Sequence, residues 1–381
     1  MRDFVLTSES VTRGHPDKLC DQISDAIVDA CLGSDPDGGV VAECAVASGV
    51  VFLSVRNRRP LAFDPSALAR RVIAEAGYED AYGPEGPTVM LNAVDDPLLP
   101  GPNPKGAACA DTMTTAFGYA GGGSDNRLPA PSALAHDITR RIDALALSGA
   151  APWLSPDAKA QVAVRYADRM PQAIEAIAIT YAPRDEAPRA GEAEAVLRTE
   201  IVDRVLAEAA LPPTSDSRFV FRPAPGPGGP RTHAGLTGRK TADDCYGAFA
   251  RHSSSALSGK DPSRIERVAA YAARQAALSL VAARAAGECE VQLSYAPGDE
   301  TPLSVEIDTF GSGVDDDERL SRRLRETVDF RVGAIVERLG LWGLPAARDG
   351  RFYRDFAAYG HFGRLELDPP WERPLDAVNA A

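Results

Sequence analysis

Ser258-Gly259-Lys260-Asp261-Pro262-Ser263-Arg264-Ile265-Glu266 is a short glycine turn that runs into an apolar helical pattern, Ile265, Val268, Ala269 and Ala272. Asp261 suits an N-cap and Pro262 the first helical position, where a missing N–H costs nothing, so a helix is predicted from Pro262 onward. A helix N-terminus preceded by Gly, Ser and Lys offers an anion backbone N–H groups, a positive dipole end and a cation, with phosphate the obvious candidate. Taken alone, the stretch is equally well an ordinary capped helix with a solvated lysine. It is not a Walker A loop, because Asp261 stands where Ser or Thr should follow the lysine.

The chain of 381 residues is long enough for two or three domains, and 44% hydrophobic content allows large cores. A formal charge of −13 without a basic run argues against a nucleic-acid surface. Cys20, Cys31, Cys44, Cys109, Cys245 and Cys289 form no CxxC pair, which points to reduced thiols rather than a disulfide frame or zinc site. Neither a signal-peptide core nor an uncharged span of membrane length occurs, since Arg274 and Arg284 interrupt the apolar stretch from Val268 to Ala286. The cytoplasm is the expected compartment, with no membrane role.

Working back to the N-terminus, Phe4-Val5-Leu6 reads as a strand leading to Gly14-His15-Pro16-Asp17-Lys18, after which Leu19, Ile23, Ile27 and Ala30 mark a helical face. Asp17, Asp21, Asp25 and Asp29 recur at i, i+4; for the last three a solvated acidic face is expected, while Asp17 lies beside His15 and Lys18. Residues 40–55 read as a hairpin broken at Ser48-Gly49, and 65–76 as a helix. Residues 83–110, dense in Pro and Gly, are expected to form an irregular loop, a lid or connector, without a core element. Further on, helices are expected over 132–148, 191–209 and 319–339, with strands over 161–166, 173–181, 290–295 and 304–310.

Several long motifs then fall in series: Thr7-Ser8-Glu9-Ser10-Val11, Gly14-His15-Pro16-Asp17-Lys18, Asp21-Gln22-Ile23-Ser24-Asp25-Ala26, Pro156-Asp157-Ala158-Lys159, Gly235-Leu236-Thr237-Gly238-Arg239-Lys240, the opening Ser258 stretch, and Ala358-Tyr359-Gly360-His361-Phe362-Gly363-Arg364. Together they resemble the S-adenosylmethionine synthetase (methionine adenosyltransferase) family over nearly the whole chain. The resemblance implies an α/β (α+β) fold of three similar domains, each a mixed sheet with helices on one face, around a pseudo-threefold axis. Sequence blocks 1–97, 98–230 (with 98–110 a possible active-site loop) and 231–381 would exchange strands. It also implies a homodimer, or a dimer of dimers, with active sites between subunits. In the family's reaction a thioether sulfur displaces tripolyphosphate from C5′ of ATP, and the tripolyphosphate is then hydrolysed. Such a nucleophile needs no general base, so the protein has to align it and neutralise the leaving phosphates.

By motif, His15 would stabilise the leaving oxygen, with Lys159, Arg239 and Lys260 also catalytic. Asp157, Lys159, Arg239, Lys240, Lys260 and Arg264 would bind the phosphates, Arg264 standing at a family lysine. Asp17 and Glu266 would hold Mg²⁺, two ions per site, Glu266 being one carbon longer than the family's aspartate. Glu43 and the backbone of Ser258 would hold K⁺. A single cation among these is by default a solvated surface charge; their joint placement in matching motifs argues otherwise.

Departures from the pattern gather on the acceptor side. Arg56 stands at a glutamate that faces the methionine amino group, Pro97 at a glutamine, His233 at an aspartate and Arg13 at a glutamate. Counting back from Phe117-Gly118-Tyr119-Ala120 puts Thr112 at another family aspartate, whereas a shift of one residue puts Asp111 there. On the nucleotide side, Pro225 stands at the adenine-stacking phenylalanine. A like-charge contact at about 4 Å costs on the order of 4 kcal/mol at an effective dielectric near 20, roughly a thousandfold in affinity. The expected acceptor is therefore a methionine analogue without the α-ammonium group. The alternatives are a genuine synthase using L-methionine, a non-catalytic nucleotide-binding paralogue, and an enzyme that only cleaves triphosphate.

Overall fold

The computed structural model describes residues 3–79, 82, 86–102, 108–121, 124–184 and 187–379. Of the predicted 83–110 loop, residues 83–85 and 103–107 lie outside the described residues. The strands are β1 (Phe4–Val11), β2 (Val40–Ala47), β3 (Val50–Asn57), β4 (Thr88–Asp95), β5 (Thr114–Ala120), β6 (Leu154–Ala167), β7 (Met170–Pro183), β8 (Pro213–Pro223), β9 (Gly235–Leu236), β10 (Cys289–Tyr295) and β11 (Ser304–Asp308). The principal helices are α1 (Pro16–Ser34), α2 (Pro65–Ile73), α3 (Ala130–Leu147), α4 (Ala190–Leu197), α5 (Asp203–Glu208), α6 (Thr241–Asp244), α7 (Ile265–Ala282), α8 (Asp317–Thr327) and α9 (Val332–Leu339).

Three sheets organise the chain, in the orders β1-β6-β7-β8, β4-β3-β2-β9 and β11-β10-β5. Each has one long helix against it: α3 on β6 and β1, α1 on β2, and α7 on β5 and β10. Strands distant in sequence share sheets, since β1 pairs with β6 and β5 with β10. In β2 the alternation of buried and more exposed residues turns Ala42, Cys44 and Val46 inward, and in β3 it does so for Val51, Leu53 and Val55.

The acidic stripe of α1 corrects the sequence-based expectation: Asp21, Asp25 and Asp29 are buried rather than solvated. Periodicity assigns residues to one face but does not say what covers it. Here the covering groups are backbone N–H donors from remote turns, Leu236 N to Asp17 Oδ1 at 3.1 Å, Gly238 N to Asp21 Oδ1 at 2.7 Å and Gly259 N to Asp25 Oδ1 at 2.8 Å. Asp29 accepts from Phe352 N (2.9 Å), Tyr353 N (2.8 Å) and Arg354 N (2.9 Å). Buried cations complete the balance: Lys18 joins Asp21 at 2.9 Å and also Asp244, and Arg267 pairs with Asp25. Charges taken out of water at this depth are tolerable only when paired and hydrogen-bonded in this way.

Three further differences have local causes. β4 lies in the stretch read as irregular; it is an edge strand bonded in parallel to β3 and exposed along most of its length, so no inward alternation marks it. The helix expected over 319–339 divides into α8 and α9, because Phe330 is buried between them. α7 begins at Ile265, not Pro262: Asp261 bonds Ser263 N at 2.8 Å and Val40 N at 2.6 Å, closing a turn that ties this segment to β2.

Candidate active site

One group of polar side chains converges on the first turn of α1. His15 is its N-cap residue, with Nδ1 accepting from Asp17 N at 3.2 Å. Asp17 takes the Leu236 N–H and has Lys240 Nζ at 3.2 Å and Arg239 Nη1 at 3.7 Å. Gly235 makes this approach possible, since a Cβ there would lie 2.2 Å from the Pro16 carbonyl carbon. Asp157, on β6, accepts from Gly229 N at 2.7 Å and pairs with His233 Nε2 at 2.6 Å. The His15 and His233 rings meet edge to face with centroids 5.3 Å apart. Lys159, two residues beyond Asp157, sits opposite Val11 and is exposed.

Burial, more than any neighbour, drives the His15 imidazole down to about 3, so it is neutral near pH 7. The hydrogen bond to Asp157 raises His233 above its ordinary value, against partial burial that works the other way. Burial pushes Asp157 upward, but His233, His15 and the Gly229 N–H together hold it below the usual carboxylate range.

A second group forms where the Ser258–Lys260 turn runs beside β2. Ala42 N donates to Gly259 O at 2.9 Å, and Val41 and Lys260 form a β-bridge. Gly259, at φ +79°, has no room for a side chain: a Cβ would come within 2.0 Å of Ala42 O. Lys260 Nζ pairs with Glu266 Oε2 at 2.7 Å, and Arg264 Nη1 with Asp111 Oδ2 at 2.8 Å. Asp111 Oδ1 also accepts from Ile265 N at 3.0 Å, so the α7 N-terminus is capped by a residue remote in sequence. Of the two candidates at the family aspartate, Asp111 is the one in contact with this segment; Thr112 follows it, half-buried. Pro97 and Asp111 line a cavity of about 1180 Å³ together with Ser263 and Trp342.

Register places Lys260, Val41, Arg56 and Val94 in one row across the sheet, with Glu43 opposite Ser54 in the neighbouring row. Arg56 is paired with Asp96, and Arg13 lies 4.0 Å from Asp143 and donates to Tyr359. His15, Asp17, Asp157, His233, Arg239 and Lys240 thus come together, as do Lys260, Arg264 and Glu266. Among the described residues no side-chain hydrogen bond or ion pair joins the two groups. Asp96, Asp143 and the buried roles of Asp21, Asp25 and Asp29 were missed in the sequence. Their i, i+4 spacing marked the last of these, but only contacts distant in sequence reveal the partners.

Fold and known proteins agree. Family descriptions for the S-adenosylmethionine synthetase N-terminal, central and C-terminal domains match residues 3–92, 107–225 and 227–373. The protein named S-adenosylmethionine synthase of Synechocystis sp. is 40% identical over 407 residues, covering 99% of this chain and 95% of that protein. Proteins of the same name from Thermosynechococcus vestitus (98% and 96% covered) and Prochlorococcus marinus (98% and 97%) are also each 40% identical. The molecule is therefore an ATP-dependent adenosyltransferase of the methionine adenosyltransferase class. More particularly, the chain belongs to the S-adenosylmethionine synthetase family.

Proposed function

We propose that the protein is an S-adenosylmethionine synthase that uses L-methionine and ATP. One observation carries this reading: the three acceptor-side cations are already neutralised, Arg56 by Asp96, Arg13 by Asp143 and His233 by Asp157. The amine-free acceptor expected from the sequence rested on bare cations facing an ammonium group. A paired cation exerts little net repulsion, and Asp111, paired with Arg264, lines the same cavity as Pro97. Relatives named for this activity at 40% identity support the same reading.

In the reaction proposed, the thioether sulfur attacks C5′ of ATP and the C5′–O bond breaks toward tripolyphosphate, which is then hydrolysed to pyrophosphate and phosphate. Neutral His15 donates a hydrogen bond to the departing oxygen. Lys159, Arg239, Lys240, Lys260 and Arg264 neutralise phosphate charge, and Asp157 keeps His233 in place. Asp17 and Glu266 fit Mg²⁺ as oxygen donors: besides the Leu236 N–H on Asp17, the groups that balance them are lysine and arginine side chains able to turn to phosphate. Glu43, exposed on the outer face of β2, and the backbone of Ser258 in the turn beside β2 are the oxygen donors proposed for K⁺. Bound cations would supply charge neutralisation of the triphosphate.

Homo-oligomerisation is part of the proposal. Leu236, Ala45, Phe52 and Met90 form one row across the sheet, with Leu236, Phe52 and Met90 exposed by 50%, 43% and 57%. A second subunit on this face would cover the row and let the two groups of cations complete one another across the interface. Reduced thiols, with five of the six cysteines buried, suit the cytoplasm. No described helix is long and apolar enough to cross a membrane.

The test is mass spectrometry of reactions with ATP, Mg²⁺ and K⁺, offering L-methionine, 3-methylthiopropionate or 4-methylthio-2-oxobutanoate. S-adenosylmethionine as the dominant product is expected. An adenosyl sulfonium from an amine-free acid, with little from L-methionine, would overturn the reading, as would phosphate release without any adenosylated product.

A further inference from the structure

His15, Asp157 and His233 each present a ligand atom, and these atoms all lie within 4.8 Å of one another. Among the described residues this is the one such set of three histidine, cysteine or carboxylate ligands. The residues come from three separate segments, the α1 N-cap, β6 and the turn before β9. His15 Nδ1 accepts from Asp17 N, so Nε2 carries the ring proton; a metal at Nε2 takes the other neutral tautomer, with the proton moved to Nδ1 and the bond from Asp17 N given up. Gly229 N fixes Asp157. His233 Nε2 already faces Asp157 Oδ2 at 2.6 Å.

We propose that His15, Asp157 and His233 form a binding site for a borderline transition-metal ion, Zn²⁺ or Co²⁺, separate from the Mg²⁺ carboxylates Asp17 and Glu266. Two imidazoles and one carboxylate with a fourth position open to water is a donor set that Zn²⁺ takes readily. Mg²⁺, which prefers six oxygens, does not compete well for it. On binding, the proton now shared by His233 Nε2 and Asp157 Oδ2 passes to solvent, and the metal takes its place between the two atoms. Lys159 and Lys240 lie nearby and weaken the site without removing a ligand. Because the metal engages His15, occupancy excludes the hydrogen bond that His15 makes in adenosyl transfer; this consequence rests on the proposed function, whereas the binding does not.

The experiment titrates the full chain, free of Mg²⁺ and nucleotide, with Co²⁺, followed by visible d–d absorption and by displacement with Zn²⁺. One equivalent should develop the intense bands of four-coordinate Co²⁺. His233→Ala should weaken binding at least about a hundredfold, since a direct ligand is worth no less than a supporting one, and Glu266→Gln should leave it unchanged. His233 is partly exposed, so the variant keeps the fold, and His233→Asn serves as a second variant of similar shape. Equal Co²⁺ affinity in His233→Ala and the parent, or only weak six-coordinate bands in the parent, would overturn the site. In turnover assays Zn²⁺ should inhibit the parent at concentrations at least about tenfold lower than it inhibits His233→Asn; equal inhibition also counts against it. If no adenosyl transfer occurs with any acceptor, the functional reading fails while the Co²⁺ titration still decides the metal site.

Discussion

The two faces of the β4-β3-β2-β9 sheet have similar alternating sequences and opposite fates. On the inner face Ala42, Cys44, Val46, Val51, Leu53 and Val55 are at most 2% exposed. α1 closes over them, with its aspartates satisfied by N–H groups and buried cations. On the outer face Phe52, Met90 and Leu236 remain open, and Glu43, Arg56 and Lys260 share the sheet with them. The inner face is complete within one chain. The outer face carries proposed chemistry and has no cover among the described residues, which argues that folding and catalysis draw on different partners.

Breaking the inner face should have the largest effect. Lys18→Met would leave Asp21 and Asp244 buried without their cation, costing roughly 3–5 kcal/mol in urea unfolding. A loss below about 1 kcal/mol would mean that this network contributes little. Asp29→Ala is next: it orphans the N–H groups of Phe352, Tyr353 and Arg354, at about 2–3 kcal/mol. Burial also raises Asp29 to about 7, above its unfolded value near 3.8. The folded state therefore binds more protons between these values, and Asp29's contribution to stability is full below the lower value and lost as pH rises through about 7. Asp29→Asn should flatten that part of the stability–pH curve.

The outer face should respond differently. Phe52→Asp is expected to leave the unfolding midpoint of an isolated subunit nearly unchanged while shifting light-scattering mass toward the monomer and abolishing adenosyl transfer. Unchanged mass with full activity would remove this face from the proposed interface. Asp96→Asn strips Arg56 of its partner and should raise the KM for L-methionine about tenfold with little change in kcat, as loss of uniform binding does. The smallest effect is spectroscopic: the His233 imidazole should titrate above its ordinary 6.5 by NMR and fall back in Asp157→Asn. The stabilisation from this pair is fully present below the unfolded value and lost as pH rises through the folded one.

Much of this molecule was legible in order along the chain. The Gly14–Lys18, Asp157–Lys159, Gly235–Lys240 and Ser258–Glu266 motifs announced the family and the polyanion chemistry, because backbone turns, lysines and carboxylates at fixed spacing are local features. Strand β4 was not legible, since an exposed edge strand shows no buried alternation. The buried state of Asp21, Asp25 and Asp29 was not legible either, because spacing gives a face and not its environment. The sequence by itself therefore determined the three-sheet class and the candidate phosphate-binding groups. Only the tertiary structure decided that Arg56, Arg13 and His233 are each met by a carboxylate. The physical reason is that an ion pair depends on distance in space, and Asp96, Asp143 and Asp157 lie 40, 130 and 76 residues from their partners.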